Sequence, residues 1–433
     1  MQKIILHIDF NSYFATVEQQ ANPRLRGKPI GVTGGDRMER TVIGAASIEA
    51  KRFGVKTGMH PYEAKKLCPE IILVRGDSDK YLEVTKKFLN IIKDFSPYVE
   101  VFSIDEVFLE LPVSHLRGMS VAREIKSRVR NEIGEWMKVS IGISYNKLLA
   151  KLASNLQKPD GLVVIQNQED AIKILDKIEL DELCGIGSRI KKRLNNMGIF
   201  SFSQLRSVPL PALLASFKSY GQILYDMARG IDERFIIPFY EKEEVKSIGH
   251  RHTLSHDTDD PDEIKQLLLK LTELIARRLR AKKLMGKTVS VWYREAFQGY
   301  NPGLQVQFQT GIEKLKFSGD GMQVTIPYTS DGLDIFNAAW KIFHTIWSGE
   351  KIRMVGVSIS NLKPLNPQNL SLLPEVKREE AILKAIDKIN DKFGEFALQR
   401  GTLLGSSKMK GTFLASQVKR MPNPFLADRR FKL

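Results

Sequence analysis

The sequence predicts an α/β domain, then a helical segment, then an α+β domain. At 433 residues the chain is long enough for several domains. Residues 1–166 alternate between strand-like and helix-like patterns, which is typical of an α/β layer. Residues 167–235 show only short helical patterns, whereas residues 246–362 combine strand-like runs with one long amphipathic helix.

The first domain begins with a predicted buried strand that ends in an acidic residue. The apolar run at residues 4–8 precedes Asp9, and a second apolar run at residues 101–109 carries Asp105 and Glu106. Both runs are rich in Ile, Val, Leu and Phe, which indicates buried strands. Buried carboxylates are rare unless they are paired or bind a metal. For either cluster alone, the alternative is an Asp at a strand end and an exposed Asp-Glu turn.

Three carboxylates brought to one place repel each other by ~4 kcal/mol per pair, at a separation of about 4 Å and an effective dielectric constant of about 20. A divalent cation relieves this repulsion. Because no Cys or His cluster accompanies the acids, they suit Mg²⁺ or Mn²⁺ rather than zinc. After Asp9, Asn11 or Ser12 can cap a helix whose free N–H groups face the carboxylate. These features predict phosphate chemistry.

Composition and linkers add weaker indications. The 66 basic and 50 acidic residues give a formal net charge of +16, which favours a polyanionic partner. Cys68 and Cys184 are far apart, so neither a disulfide framework nor a zinc site is predicted, and both are expected to be reduced structural residues in a cytoplasmic protein. The N-terminal strand lacks a cleavage-like segment, and no run approaches the ~18 apolar residues of a membrane span.

Several motifs in the first domain occur in the order found in one enzyme family. They are Asp-Phe-Asn-Ser-Tyr-Phe at 9–14, Glu-Ala-Lys-Arg-Phe-Gly-Val at 49–55, Ser-Ile-Asp-Glu at 103–106, the run at 142–151 and Lys-Pro-Asp-Gly at 158–161. With these motifs the chain resembles the Y-family DNA polymerases, the translesion enzymes, to about residue 410. The DinB branch is nearest. The UmuC branch competes with it, because Asn11 stands where the DinB branch usually has a second Asp.

The resemblance implies a polymerase of the right-hand architecture, with a palm, small fingers, a helical thumb and a C-terminal little finger. It implies a palm at residues 1–166 with inserted fingers at about 20–76, a thumb at 167–235, a linker at 236–245, a little finger at 246–362 and a tail at 363–433. The implied activity is template-directed addition of deoxynucleotides to a primer 3′-hydroxyl, with low fidelity and no proofreading, in the bypass of damaged DNA. We expect a cytoplasmic monomer whose partners are primer-template DNA, deoxynucleoside triphosphates and a sliding clamp.

The resemblance also implies the active-site residues. The ligands of two Mg²⁺ ions, or of Mn²⁺ in their place, would be Asp9, Asp105, Glu106 and the backbone carbonyl of Phe10. The residues expected to bind the nucleotide are Phe10, Tyr13, Phe14, Ser47, Lys51 and Lys158. Phe14 occupies the steric-gate position, where a bulky ring leaves no room for a ribose 2′-hydroxyl. The alternative is that Tyr13 and Phe14 fill the core between palm and fingers.

Other positions near the nucleotide depart from the family pattern or allow two interpretations. Ile48 and Lys51 replace the family's usual Tyr and Arg, so a bidentate fork and a phosphate donor are lost. The small residues at 44–47 predict a close but unobstructive roof over the base pair. Lys147 and Lys151 lie four apart on one predicted helix face, and a solvated stripe is favoured over a supporting role.

The residues assigned to DNA contacts are Gly185, Gly187, Lys191, His250, Arg251 and His252. The first three lie in a segment like a helix-hairpin-helix, whose glycines let backbone amides approach a phosphate while the lysine adds charge. An ordinary helix-to-helix turn is the alternative. The last three lie on a strand-like segment and are expected to line the DNA backbone rather than to bind zinc. The basic residues at 277–283 either complement a helix dipole or contact phosphates.

The tail carries a peptide similar to the one that binds the bacterial sliding clamp. Its key residues are Gln368, Leu370, Leu372 and Leu373. A short apolar peptide of this kind can dock into a partner's groove, and the alternative is a plain linker. Helical periodicity follows at residues 378–396.

Two other classes of function stay open at the level of sequence. Gly34-Gly35-Asp36 invites comparison with a nucleotidyl cyclase, but Arg37 and Met38 follow where a cyclase has an acid and a Phe. A cyclase would also not require segments that bind DNA. The other class is a non-catalytic recruiter that binds DNA and the clamp. Primer extension with Mg²⁺ and deoxynucleotides separates these possibilities.

Overall fold

The computed structural model describes residues 3–34, 38, 41–241, 244–296, 319–365, 374–394 and 396–403. The chain forms two compact units, with the boundary between residues 242 and 243. Each unit has its own hydrophobic core. No helix within the described ranges is long and apolar enough to cross a membrane.

The first unit contains eight strands and eleven α-helices within the described residues. The strands are β1 (Ile4–Phe10), β2 (Ile30–Thr33), β3 (Ile43–Ala46), β4 (Ile72–Arg75), β5 (Val99–Val101), β6 (Glu106–Leu111), β7 (Val139–Ser144) and β8 (Leu162–Val164). The helices are α1 (Tyr13–Ala21), α2 (Ile48–Arg52), α3 (Pro61–Leu67), α4 (Ser78–Lys93), α5 (His115–Arg128), α6 (Lys147–Leu156), α7 (Gln168–Leu175), α8 (Ser188–Asn196), α9 (Phe202–Ser207), α10 (Leu210–Phe217) and α11 (Tyr220–Met227).

The main sheet of the first unit has the strand order β5-β6-β1-β7-β8, so β1 lies at its centre. β1 is antiparallel to both of its neighbours, and Asp9 pairs in register with Glu106 on β6 and with Ser140 on β7. Ile4 and Leu6 face the main core, while Ile5 packs against α6. The predicted buried strand ending at Asp9 is therefore confirmed.

The second acidic cluster lies at a tight turn between two strands. β5 ends at Val101 and β6 begins at Glu106, and the backbone N–H groups of Phe102 and Ser103 both donate to the carbonyl of Glu106, each at 3.1 Å. The expectation of one continuous strand over residues 101–109 is therefore wrong. The turn is nevertheless not exposed, because Asp105 and Glu106 are both half-buried.

A second, smaller sheet with the order β3-β2-β4 lies within the glycine-rich stretch. It has a small core of its own, which includes Ile43, Val55 and Cys68. Gly31 lies on β2, and an added Cβ there would come within 3.2 Å of the side chains of Ile43 and Ile71. This close approach explains a glycine in the middle of a strand.

The helices α7 to α11 contain six to nine residues each and share one core with α6. They are the short helices that the sequence predicts for residues 167–235. Isolated helices of this length are marginal in water, so their stability comes from the shared apolar core.

The second unit is a sheet covered by helices. Its strands are β9 (Ser247–Thr258), β10 (Leu284–Glu295), β11 (Gly321–Thr329), β12 (Ile352–Ser360) and β13 (Lys363–Pro364), and its helices are α12 (Pro261–Ala281), α13 (Gly332–Ile346) and α14 (Pro374–Phe393). The sheet has the order β11-β10-β12-β9, and β13 also pairs with β10. The apolar face of α12, including Leu267, Leu271 and Ile275, is buried in the core as the sequence predicts.

The basic end of α12 holds α14 in place. Arg280 pairs with Asp387 at 2.7 Å, and Arg277 pairs with Asp391 at 2.7 Å. Arg278 donates to the carbonyl of Gly249 on β9 at 3.0 Å. These arginines therefore have intramolecular partners, a role that sequence reasoning considered neither for the helix end nor for the tail.

Candidate active site

A cavity of about 570 Å³ opens beside the end of β1. Its lining comes from the β1–α1 connection, β3, α2 and the turns at 105 and 158–159. The residues are Asp9, Phe10, Asn11, Ser12, Tyr13, Phe14, Gly44, Ala45, Ala46, Ile48, Lys51, Arg52, Thr57, Asp105, Lys158 and Pro159. The structure thus brings most of the predicted metal and nucleotide residues to one place.

The three predicted carboxylates lie near one another, although Glu106 is not among the residues that line the cavity. Asp9 and Asp105 line it, and Asp9 is the register partner of Glu106. Within the described part of the chain, the one group of His, Cys, Asp and Glu side chains with metal-ligand spacing is His7, Asp9 and Glu106, whose ligand atoms lie within 4.8 Å of one another. The backbone N–H of Phe10 donates to the carbonyl of Asp105 at 3.0 Å, which ties the turn to β1.

The electrostatics of the carboxylates favour a bound cation. The pKa of Asp9 is raised from 3.8 to about 6, mainly by burial, with Lys158 opposing the shift and the nearby Asp105 and Glu106 contributing to it. Burial also raises the pKa of Asp105, and Glu106 contributes. The negative forms of both groups are therefore unfavourable in the protein alone. Clustered carboxylate oxygens of this kind fit a hard divalent cation.

The pKa of Glu106 shifts in the opposite direction, because His7 donates a hydrogen bond to its carboxylate and Lys151 places a positive charge beside it. Burial alone would raise its pKa, but the hydrogen bond with His7 and the charge of Lys151 lower that pKa to about 2. His7 Nε2 lies 3.0 Å from Glu106 Oε2, and the Lys151 ammonium forms an ion pair with the same oxygen. Glu106 is thus ionised at neutral pH.

The favoured interpretation of Lys147 and Lys151 as a solvated stripe is wrong. Lys147 is buried and pairs with Glu100 at 2.7 Å, and Lys151 pairs with Glu106. Both ammonium groups lie against acidic partners in the interior rather than in water. Sequence reasoning also missed His7, although it lies two residues before Asp9 on the same strand and hence on the same face.

Asn11 connects β1 to the segment that carries Lys158. Its side-chain oxygen accepts from the N–H of Asp160 at 2.7 Å, and its amide donates to Ser140 Oγ at 2.9 Å. Lys158 Nζ lies 2.9 Å from Asp9 Oδ1. The predicted helix cap is realised differently: Ser12 precedes α1 in a left-handed conformation with φ of 53° and makes no capping hydrogen bond.

The two adjacent aromatic residues have different surroundings. Tyr13 is buried, and its hydroxyl donates to the carbonyl of Tyr81 at 2.7 Å. Phe14 is half-buried, lines the cavity and stacks on the ring of Tyr81 with centroids 4.4 Å apart. Both residues line the cavity, but Tyr13 belongs to the buried core, whereas the half-buried Phe14 ring is more open to the cavity.

A second group of lining residues, from β3 and α2, is small and apolar with two cations. Gly44, Ala45 and Ala46 lie beside Ile48, followed by Lys51 and Arg52, all lining the cavity. Burial lowers the pKa of Lys51, and the charge of Lys158 lowers it further. Sequence reasoning placed the small roof and Lys51 here but overlooked Arg52, which directly follows Lys51 in the same motif.

Ser47 does not fit its expected role in nucleotide binding. It is fully buried and is not among the residues that line the cavity. Its hydroxyl accepts from the N–H of Ala50 at 3.2 Å, capping α2, and from the N–H of Ile30 at 3.1 Å. The hydroxyl is thus used within the protein, so we assign Ser47 a structural role.

The predicted DNA contacts have mixed surroundings. Gly185 has φ of +108°, and an added Cβ would lie 2.5 Å from Met227 Cε, whereas Gly187 has open space around it. Lys191 already pairs with Asp181 at 2.8 Å and Glu179 at 3.0 Å, so its charge is partly neutralised.

The strand segment at the start of β9 offers one charged side chain. Burial lowers the pKa of His250 and of His252 to about 4, so both imidazoles are neutral at physiological pH. Arg251 between them is exposed. Gln368, Leu370, Leu372 and Leu373 lie outside the described residues. Both cysteines are free, with Cys68 buried and Cys184 exposed.

Comparisons with known proteins agree along the chain. The model of the impB/mucB/samB family matches residues 8–155, the model of that family's C-terminal domain matches 245–372, and the thumb-domain model of DNA polymerase-iota matches 181–232. A protein of Moorella thermoacetica named DNA polymerase IV is 36% identical over 94% of this chain and 98% of its own. One of the same name from Pelotomaculum thermopropionicum is 36% identical, covering 92% and 95%. The solved structure of a Y-family DNA polymerase chimera of Dbh and Dpo4 has a TM-score of 0.69 and 25% identity, covering 83% of this chain and 98% of its own.

Proposed function

Because the chain belongs to the impB/mucB/samB family, the Y-family of DNA polymerases, we propose that Asp9, Asp105 and Glu106 hold the metal ions of its nucleotidyl-transfer reaction. The protein is a DNA-directed DNA polymerase of the translesion type, and enzymes of this family depend on metal ions. The observation that carries the proposal is that Asp9 and Asp105 line one cavity, that Glu106 is the register partner of Asp9, and that burial raises the pKa of Asp9 and of Asp105.

Two Mg²⁺ ions, or Mn²⁺ in their place, would be held by these carboxylates and the backbone carbonyl of Phe10. When bound, such ions lower the pKa of the primer 3′-hydroxyl and neutralise charge on the triphosphate. The protein's own contribution is positioning, because in-line attack on the α-phosphate needs no protein nucleophile. Lys158, which pairs with Asp9 at 2.9 Å, and Lys51, which also lines the cavity, would bind triphosphate oxygens.

The residues that line the cavity support the remaining nucleotide contacts of the proposal. Phe14, held by its stack on Tyr81, is the steric gate against a 2′-hydroxyl. Gly44, Ala45 and Ala46 form a low roof over the nascent base pair, which leaves room for a damaged template base. Tyr13 supports this region from the core.

We assign contacts with primer-template DNA to Gly185, Gly187, Lys191 and the β9 segment His250, Arg251 and His252. The open space around Gly187 and the exposure of Arg251 support this assignment. A monomer in the cytoplasm that binds the sliding clamp through Gln368, Leu370, Leu372 and Leu373 completes the proposal.

Primer extension tests the catalytic assignment. Wild type with Mg²⁺ and deoxynucleotides should extend a primer, and Asp105→Asn should lose extension while keeping its affinity for primer-template DNA. Lys191→Gln, at a proposed DNA contact outside the cavity lining, is the opposite control: it should weaken affinity for primer-template DNA and leave the chemistry on bound primer intact. Full extension by Asp105→Asn would overturn the metal assignment, and loss of DNA binding without loss of chemistry would point to a different role for Asp105.

The clamp proposal has its own test. Replacing Gln368, Leu370, Leu372 and Leu373 with Ala should abolish stimulation of extension by the bacterial sliding clamp, without changing extension in its absence. Unchanged stimulation would identify the segment as a plain linker.

A further inference from the structure

We propose that His7 and Lys151 are positioning residues that orient Glu106 so that one carboxylate oxygen, Oε1, faces the metal site. The inference rests on the proposed function, because it takes Glu106 as a metal ligand. It concerns the surroundings of Glu106, which pairs in register with the lining residue Asp9; His7, Lys151 and Glu106 itself are not among the lining residues.

The two donors converge on a single oxygen. His7 Nε2 lies 3.0 Å from Glu106 Oε2, and the Lys151 ammonium forms its ion pair with that same Oε2. In the described ranges, no hydrogen bond or ion pair reaches Oε1. Since an oxygen that already accepts two donors is a poorer ligand than its free neighbour, the arrangement selects Oε1 for a cation.

The proton on His7 can be assigned from its neighbours. The imidazole is fully buried, and Glu106 as a carboxylate can only accept, so Nε2 must carry the hydrogen. Nδ1 is then an acceptor for the hydroxyl of Ser154 on α6, which lies 2.7 Å away and shares its one hydrogen with the carbonyl of Lys151 at 2.8 Å. A relay of Ser154 O–H to His7 and His7 N–H to Glu106 thus fixes both the tautomer and the ring orientation.

Both positioning side chains are held rigidly. His7 lies within β1, between Phe108 of β6 and Gly142 of β7, and its ring packs on the Phe108 ring with centroids 4.6 Å apart. Lys151 Nζ lies 4.8 Å from the centroid of the Phe102 ring. A carboxylate held in this way binds with one oxygen, which suits the octahedral geometry of Mg²⁺ better than the larger, often bidentate shell of Ca²⁺.

The test measures metal binding directly. Free Mn²⁺ is followed by electron paramagnetic resonance in the full-length enzyme with primer-template DNA and a non-hydrolysable deoxynucleotide. His7→Leu removes the donor at similar volume and should weaken Mn²⁺ binding about tenfold, the lower end of what loss of a supporting contact typically costs. His7→Gln, which keeps a donor near the Nε2 position, should recover most of the affinity. Lys151→Met should weaken binding as His7→Leu does.

His7→Leu should still fold, because the Ser154 hydroxyl has a second acceptor in the carbonyl of Lys151 at 2.8 Å. Thermal melting checks this, and if His7→Leu fails to fold, Lys151→Met and Ser154→Ala carry the test. Wild-type Mn²⁺ affinity in a folded His7→Leu or Lys151→Met variant would overturn the inference. Glu106→Gln in the same assay distinguishes failure of this inference from failure of the proposed function. Unchanged Mn²⁺ affinity in Glu106→Gln would overturn the proposed role of Glu106 as a metal ligand.

Discussion

Two groups of residues at the cavity, the acidic side and the fingers side, differ in their charge and in their partners. The acidic side, Asp9, Asp105 and Glu106, consists of side chains that already have partners: Lys158 for Asp9, Ser103 for Asp105, and His7 with Lys151 for Glu106. The fingers side, residues 44–52 that line the cavity, presents glycine, alanine and isoleucine, with cations only at Lys51 and Arg52.

The difference separates chemistry from substrate tolerance. Charge stabilisation is effective when the charged groups are fixed before the reaction, so the acidic side is braced on the central strand of the sheet. A side that must accept varied base pairs gains from having few directional groups. We therefore expect changes on the acidic side to affect the rate of chemistry, and changes on the fingers side to affect nucleotide binding.

The largest expected effect separates the two sides by their kinetics. Glu106→Gln should lower kcat for single-nucleotide insertion by about 10²- to 10³-fold, because a charge that meets the reacting centre is lost. Lys51→Met should instead raise KM for the nucleotide with a smaller change in kcat. Steady-state insertion kinetics on one primer-template check both. Equal effects of the two variants on kcat and KM would remove the distinction.

The second effect is on stability, and it tests whether burial of the ionised Asp9 carboxylate destabilises the fold. The pKa of Asp9 is raised from its usual 3.8 to about 6, so the folded protein binds the extra proton between those values and loses stability as pH rises through that window. At about 1.4 kcal/mol per pH unit, Asp9→Asn in EDTA at pH 7.5 should raise the free energy of unfolding by up to about 3 kcal/mol. The gain should disappear below about pH 4.

Urea unfolding measured at several pH values checks this prediction. Added Mg²⁺ should narrow the gap, because it stabilises the wild type that binds it and not the variant. A variant less stable than wild type at every pH would show that the Lys158 pair outweighs the burial of Asp9.

The third effect concerns the ring at the junction of the two sides. Phe14→Ala should raise ribonucleotide insertion relative to deoxynucleotide insertion by about tenfold or more, because the discrimination rests on bulk. If the ring mainly fills core, the loss should instead appear as stability, about 3 to 5 kcal/mol for a buried Phe. Insertion of both sugars and thermal melting are measured together. Tyr81→Phe is the matched control that keeps the ring under Phe14.

The smallest expected effect is a gain on the fingers side. Ile48→Tyr with Lys51→Arg restores the residues usual in the family and adds donors toward the triphosphate. We expect KM for the nucleotide to fall by about three- to tenfold, since one charge-assisted hydrogen bond contributes about 1 kcal/mol or more. An unchanged KM would mean that Arg52 already supplies the contact.

Features that depend on neighbours in sequence could be predicted, whereas contacts between residues far apart in sequence could not. β1, α12 and the short helices α7 to α11 follow from local periodicity. The pairing of Lys151 with Glu106 spans 45 positions, and that of Arg280 with Asp387 spans 107. No local pattern encodes such partners, so the first was mistaken for a solvated stripe.

Turns and helix caps that depend on backbone hydrogen bonds could also not be predicted from the sequence. The turn before Glu106 was predicted as strand, because Phe102 and Ile104 look apolar in sequence. The backbone N–H groups of Phe102 and Ser103 instead turn back to the carbonyl of Glu106. Ser47 was assigned to nucleotide because of its place in a motif, yet its hydroxyl caps α2. The segments β11 and α13 were not predicted. Motif order, by contrast, located the cavity residues Asp9, Phe14 and Lys51 without any structure.

The central claim is that the acidic side holds the catalytic cations, and its most direct test is a count of bound metal. Mg²⁺ is titrated by calorimetry into the full-length enzyme bound to primer-template DNA and a non-hydrolysable deoxynucleotide. We predict two equivalents for wild type, and one or none for Asp105→Asn and Glu106→Gln, with DNA affinity unchanged. Two equivalents bound with wild-type affinity in either variant would contradict the account.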